Sequence, residues 1–121
     1  MSRREIQIAV PSLGDEEWAA LRAPIESGWL TQGPRVAEFE RLFAERHAVK
    51  HAIAVSSATT GLHLALAACD IGPGDEVIVP AFTWIATANV VEYVGARPVF
   101  CDVDRNTFNL DLDDLRRRLT P

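Results

Sequence analysis

The chain has 121 residues, enough for one small domain with a modest core, and 48% hydrophobic with 24% charged residues is a globular composition rather than a disordered one. A formal net charge of −5 is the wrong sign for binding a nucleic-acid backbone, and no apolar run is long enough to span a bilayer. The two cysteines, Cys69 and Cys101, lie in segments that read as buried core, and Met1–Gln7 lacks the apolar stretch of a signal peptide, so the expected location is the cytoplasm with no structural disulfide.

Asp15 to Ser27 predicts an amphipathic helix with Trp18, Leu21 and Ile25 on one face, ended by Gly28. Trp29–Pro34 holds too many breakers to be helical, and Val36, Phe39, Leu42 and Phe43 mark a second helix. Residues 1–48 therefore read as a helical arm, and 49–121 as the first part of an α/β domain. His51–Ser56 predicts a short buried strand, followed by a helix with Leu62, Ala65, Leu66 and Cys69 at core spacing. Ile71–Asp75 is a turn and Glu76–Pro80 a second strand. Ile85, Ala88 and Val91 line the next helix, Gly95 closes it, Pro98–Val103 is a third strand, and a last helix runs from about Asp111 to Leu119. Strands apolar on both faces and alternating with helices predict a mostly parallel sheet with flanking helices and right-handed crossovers. Three strands make a thin sheet, and the sequence stops where a further strand is due, so it reads as a truncated α/β domain.

Open α/β sheets bind ligands beyond the carboxyl ends of their strands. The first such end, Ser56-Ser57-Ala58-Thr59-Thr60-Gly61, leads into a helix, where free N–H groups, the helix dipole and hydroxyls can hold an anion. Taken locally, plain N-capping by Ser57 or Thr59 is the commoner use of such residues, and no P-loop pattern is present. The second end, Pro80-Ala81-Phe82-Thr83-Trp84, places an aromatic where it could stack on a flat ring; a core tryptophan is the commoner reading. The third, Asp102-Val103-Asp104, could recruit a metal, but Asp104 with Asn106 and Thr107 better fits a polar turn, and no third ligand is evident. His47, His51 and His63 share no metal-ligand spacing, and Arg116-Arg117-Arg118 reads as a solvated helix face. No metal is expected.

Four segments together resemble one family. They are Glu26-Ser27-Gly28-Trp29-Leu30-Thr31-Gln32-Gly33-Pro34 with Phe39-Glu40, Ala52–His63 around Ser57-Ala58-Thr59-Thr60-Gly61, Ile71–Trp84, and Gly95–Asp104. In that order and spacing, from about Ile8 to Pro121, they look like the DegT/DnrJ/EryC1/StrS aminotransferases, pyridoxal-phosphate (PLP) enzymes of fold type I. The resemblance implies the amino-terminal part of that fold's large domain. It also implies that Ala58 and Thr59 hold the cofactor phosphate, that Trp84 stacks on the pyridine ring, and that Thr31 lies near the substrate. The implied reaction moves an amino group, from glutamate, to a keto-sugar nucleotide for amino-sugar biosynthesis, in a homodimer that needs neither nucleic acid nor membrane. A catalytic centre also needs a Schiff-base lysine and an acidic partner for the pyridine nitrogen. The resemblance places both beyond Pro121. Lys50 is the only lysine here and reads as a surface residue. The chain alone is expected to be inactive, and no catalytic residue is assigned within it. A sugar dehydratase of the same family, with histidine in place of the lysine, and a non-catalytic remnant are the alternatives.

Overall fold

The structure is a computed structural model that describes residues 9–120 and divides into two compact units, the boundary falling between Ala54 and Val55. Met1–Gln7, read above as a poor signal peptide, lies outside the described residues.

In the first unit, α1 (Asp15–Ser27) begins with a Glu17 carboxylate that accepts the Gly14 N–H at 2.7 Å. It ends at Gly28, whose φ of +69° is a left-handed conformation that side chains resist. α2 (Pro34–Arg46) starts with proline in its first turn, where a missing N–H costs nothing. The faces predicted from periodicity form, but their apolar residues are bare: Trp18 is 74% exposed, and Leu21, Ile25, Phe39, Leu42 and Phe43 are exposed as well.

The His51–Ser56 segment corrects the prediction. It forms no strand, and Ile53 is 80% exposed. The Ala54 N–H, which a ladder would use, donates instead to Glu40 Oε1 at 2.8 Å. A strand exists through its pairing partner, and no described strand pairs with this segment.

The second unit carries the sheet. α3 (Ala58–Ala68) packs on α4 (Ala86–Tyr93), which crosses between β1 (Glu76–Pro80) and β2 (Arg97–Cys101). The two strands are parallel, in register from Glu76 opposite Arg97 to Pro80 opposite Cys101. The described sheet thus has two strands where three were predicted. Val79, Ala88, Val91 and Ala96 form the core, with Leu66, Ile71, Val77 and Val94 packed against it. Gly95 turns α4 into β2 at a φ of +78°, and a Cβ there would press on the Pro73 ring at 3.1 Å. Leu62 and Ala65 of α3 and Cys69 just after it, predicted as core, are exposed, because periodicity groups residues on a face without supplying its cover.

β2 stops earlier than predicted, and Val103 instead makes an antiparallel bridge with Leu110 that closes the loop before α5 (Leu112–Arg118). Asp114, 5% exposed, anchors this region. Its carboxylate accepts the Asp102 N–H at 2.8 Å and faces Arg117 and Arg118 at 3.1 and 3.2 Å. The Asp102 N–H first, and then the Arg118 guanidinium against the cost of burial, hold its pKa at about 2. The fully buried Cys101 thiol lies nearby, its pKa raised by burial and by the Asp114 charge. Among the described residues no helix is long and apolar enough to cross a membrane.

Candidate functional site

Ser57 is the N-cap of α3, in extended backbone, and its Oγ accepts the Thr60 N–H at 3.1 Å. The Ser57 and Ser56 hydroxyls lie 3.0 and 3.3 Å from the Thr60 hydroxyl. The capping predicted from sequence therefore occurs, and Ser57 performs it. It occupies the third N–H of the helix and leaves those of Ala58 and Thr59 in the first turn, which have no partner within the helix itself. With the positive end of the helix dipole behind them and hydroxyls around them, they make a turn suited to an anion.

α3 and α4 end together: Gly72, after α3, approaches the Val94 carbonyl, and Pro73 approaches Gly95. His63 of α3 also meets Tyr93 of α4 edge-on, with ring centroids 5.8 Å apart. α3 thus packs along α4, with the segments after both helices meeting before β1 and β2 begin, so the Ser57–Thr60 turn, at the other end of α3, lies toward the carboxyl edge of the sheet.

Trp84 lies on that edge, in the turn from β1 to α4. Its ring is 78% exposed, so the reading of a core tryptophan does not hold. The turn is tied at both ends. The Ala81 N–H donates to the Cys101 carbonyl at 2.8 Å, and the Trp84 carbonyl accepts the Thr87 N–H at 3.0 Å. The Thr83 and Thr87 hydroxyls pair at 3.1 Å. The backbone is thereby fixed while the indole face stays open, which is what stacking on a flat ring requires.

The third strand end folds as the polar turn that its residues predict. Asp104 Oδ1 accepts the Thr107 N–H at 2.8 Å, the Asn106 N–H at 3.0 Å and the Thr107 hydroxyl at 3.0 Å. These bonds, the Thr107 N–H first, lower the Asp104 pKa. Among the described residues no three His, Cys, Asp or Glu side chains gather as a metal site. Sequence reasoning missed two features here: Asp114 as the anchor of the β2 end, and a contact between Phe82 and Phe108 with ring centroids 5.7 Å apart. Neither has a periodic signature; the Asp111-x-x-Asp114 spacing at a helix start was the one available hint.

Thr31 belongs to the first unit. It is exposed in the turn between α1 and α2 and lines a cavity of about 330 Å³ with Pro24, Trp29, Gly33 and Arg35. The Trp29 indole N–H donates to the Gln32 carbonyl at 2.8 Å and lays the ring against Gly33, where a Cβ would come within 2.7 Å of Trp29 Cε2. Lys50 is also in the first unit and is exposed.

Several solved structures of the same shape are described as aminotransferases. One, described as a sugar aminotransferase from Streptococcus pneumoniae in its PMP form, is 37% identical over 97% of this chain and 30% of its own, with a TM-score of 0.87. The aminotransferase TlmJ from Streptoalloteichus hindustanus is 41% identical over 97% of this chain and 32% of its own, with a TM-score of 0.84. DesV from S. venezuelae, solved with a ketimine intermediate, is 39% identical over 88% of this chain and 29% of its own, with a TM-score of 0.81. The chain thus spans about three tenths of the length of these proteins. Its described fold matches the corresponding part of the PLP-dependent aminotransferase fold, and residues 11–121 match the sequence model of one family, so the chain belongs to the DegT/DnrJ/EryC1/StrS aminotransferase family.

Proposed function

We propose that the protein to which this chain contributes is a PLP-dependent aminotransferase that moves an amino group from glutamate to a keto-sugar nucleotide, releasing 2-oxoglutarate and an amino sugar. What supports this reading is a pair of local devices: a donor turn at Ser57–Thr60, at the start of the helix packed on α4, and the open indole of Trp84, in the turn that follows β1. A phosphate monoester needs N–H and O–H donors, and a pyridine ring needs an exposed aromatic face. The chain offers one of each, so its residues fit the cofactor.

In this reading the Ala58 and Thr59 N–H groups and the Thr59 hydroxyl hold the phosphate, while Ser57 keeps the helix start in shape. Trp84 fixes the plane of the ring. When bound, PLP supplies an electron sink for cleaving bonds at the amino-bearing carbon. In this reading the lysine and the pyridine-nitrogen acid come from elsewhere in the complete protein. Thr31 and its cavity serve the substrate side, and a homodimer completes the site. The S. pneumoniae structure was solved in both PLP and PMP forms, which supports a cofactor that carries the amino group between two half-reactions.

The test is to purify the complete protein, load it with PLP and supply glutamate with a nucleotide-linked keto-sugar. Stoichiometric 2-oxoglutarate and amino sugar are expected. Retention of PLP without transfer of nitrogen to any keto-sugar would overturn the substrate class, and failure to retain PLP would overturn the cofactor site.

A further inference from the structure

The loop between β2 and α5 is built more firmly than a connection requires. Val103 and Leu110 bridge its base, and the Asp104 N–H donates to the Asn109 carbonyl at 2.9 Å. Asp104 gathers Asn106 and Thr107 from inside, as described above, and its own carbonyl accepts the Phe108 N–H at 2.9 Å. Phe108 is the residue this turn bends most. It adopts a φ of +58°, a left-handed conformation that is costly for a non-glycine residue. Glycine or asparagine would relieve that cost. The phenylalanine is 62% exposed, so burial does not repay it.

The ring reaches Phe82, itself 70% exposed, at a centroid distance of 5.7 Å and a tilt of 38°. That separation is within the range of a favourable aromatic pair. Phe82 lies two residues before Trp84 in the same turn. The ends of that turn are fixed by the Ala81–Cys101 and Trp84–Thr87 backbone bonds, and its middle is braced by Phe108 from a different loop.

We propose that Phe108 is a positioning residue for the cofactor: through Phe82 it holds the β1–α4 turn so that the Trp84 indole presents its face at the angle the pyridine ring needs. The inference rests on the stacking role proposed for Trp84. A strained, exposed aromatic on a rigid loop, touching the turn that carries the stacking residue, is what such a brace requires. The Asp104 network supplies the stiffness, and the Phe82–Phe108 contact transmits it.

The experiment uses the complete protein loaded with PLP and reads two quantities, the Kd for PLP and the induced circular dichroism of the bound cofactor, which depends on ring tilt. Phe108→Ala should weaken PLP roughly two- to tenfold, the range of one aromatic pair, and should change the induced signal. Phe108→Tyr should restore both, and Phe108→Leu should restore neither fully. In a Trp84→Ala background, Phe108→Ala should have no further effect, because its influence passes through the indole. Wild-type Kd and dichroism in Phe108→Ala, alongside altered values in Trp84→Ala, would overturn the inference and leave the stacking reading intact. Fully additive effects would overturn it too, by showing that Phe108 acts elsewhere. Unchanged values in Trp84→Ala would remove the stacking reading itself, and this inference with it.

Discussion

Thr59→Ala separates phosphate binding from helix capping, because the structure divides these tasks between neighbouring residues. The Ser57 hydroxyl is engaged with the Thr60 N–H at 3.1 Å and with the Thr60 hydroxyl at 3.0 Å, so it holds the helix start. Thr59 is half-buried in the first turn, and its hydroxyl is the proposed phosphate donor. A hydrogen bond to a charged group contributes about 1.5–3 kcal/mol. At 1.4 kcal/mol per decade, losing it should weaken PLP roughly ten- to hundredfold. Alanine is the better helix former, so the variant should fold as the wild type does. The assay is equilibrium binding of PLP and of pyridoxal, which lacks the phosphate. Thr59→Ala should weaken PLP only. Ser57→Ala, losing an N-cap, should cost about 1 kcal/mol of stability and lower the melting temperature. Equal weakening of both ligands by Thr59→Ala, or of neither, would refute the assignment of the turn.

Val91→Ala removes a side chain that is 1% exposed and lies between α4 and the sheet; it should cost about 2 kcal/mol, seen as a lower urea midpoint at unchanged slope. Gly33→Ala should drive the Trp29 ring off its Gln32 bond and change the cavity beside Thr31, which a shift in tryptophan emission would report and an unchanged spectrum would contradict. Asp114 has its pKa held at about 2, below the unfolded value of about 3.9, so its contribution to stability is whole above the unfolded value and is lost as pH falls through about 2. Asp114→Asn should therefore be less stable than wild type at neutral pH and show a shallower acid limb; an identical limb would mean that the carboxylate is not the anchor.

What was legible in the sequence was local. The bounds of α1 at Asp15–Ser27 and of β1 at Glu76–Pro80 follow from apolar spacing, Gly28 and the turn before Asp75. So do the cap at Ser57 and the polar turn at Asp104, where donor and acceptor are three residues apart. What failed depends on distant partners. Ile53 and Val55 have the composition of a strand, but composition cannot supply the neighbour that makes one. Leu62 and Cys69 share a helix face with Leu66, yet only Leu66 finds the core. Phe108 has no periodic signature, and only the fold sets it against Phe82.

The same distinction explains why a short stretch of chain can declare its chemistry so clearly. An anion turn needs one strand end, one helix start and small hydroxylated residues, all within Ser56–Gly61. A stacking platform needs one aromatic on a fixed turn, and Pro80–Trp84 with its two backbone ties provides it. In the proposed reading these two locally encoded devices serve one cofactor, because α3 packs along α4 beside the parallel pair of β1 and β2. The proton-transfer groups follow a different logic, because they must converge on one carbon from several segments. Holding the phosphate and the ring plane first gives the remaining groups a fixed target, and the cost of orienting the cofactor is met before chemistry starts. On this view, residues that stiffen the Trp84 turn act on catalysis without touching substrate.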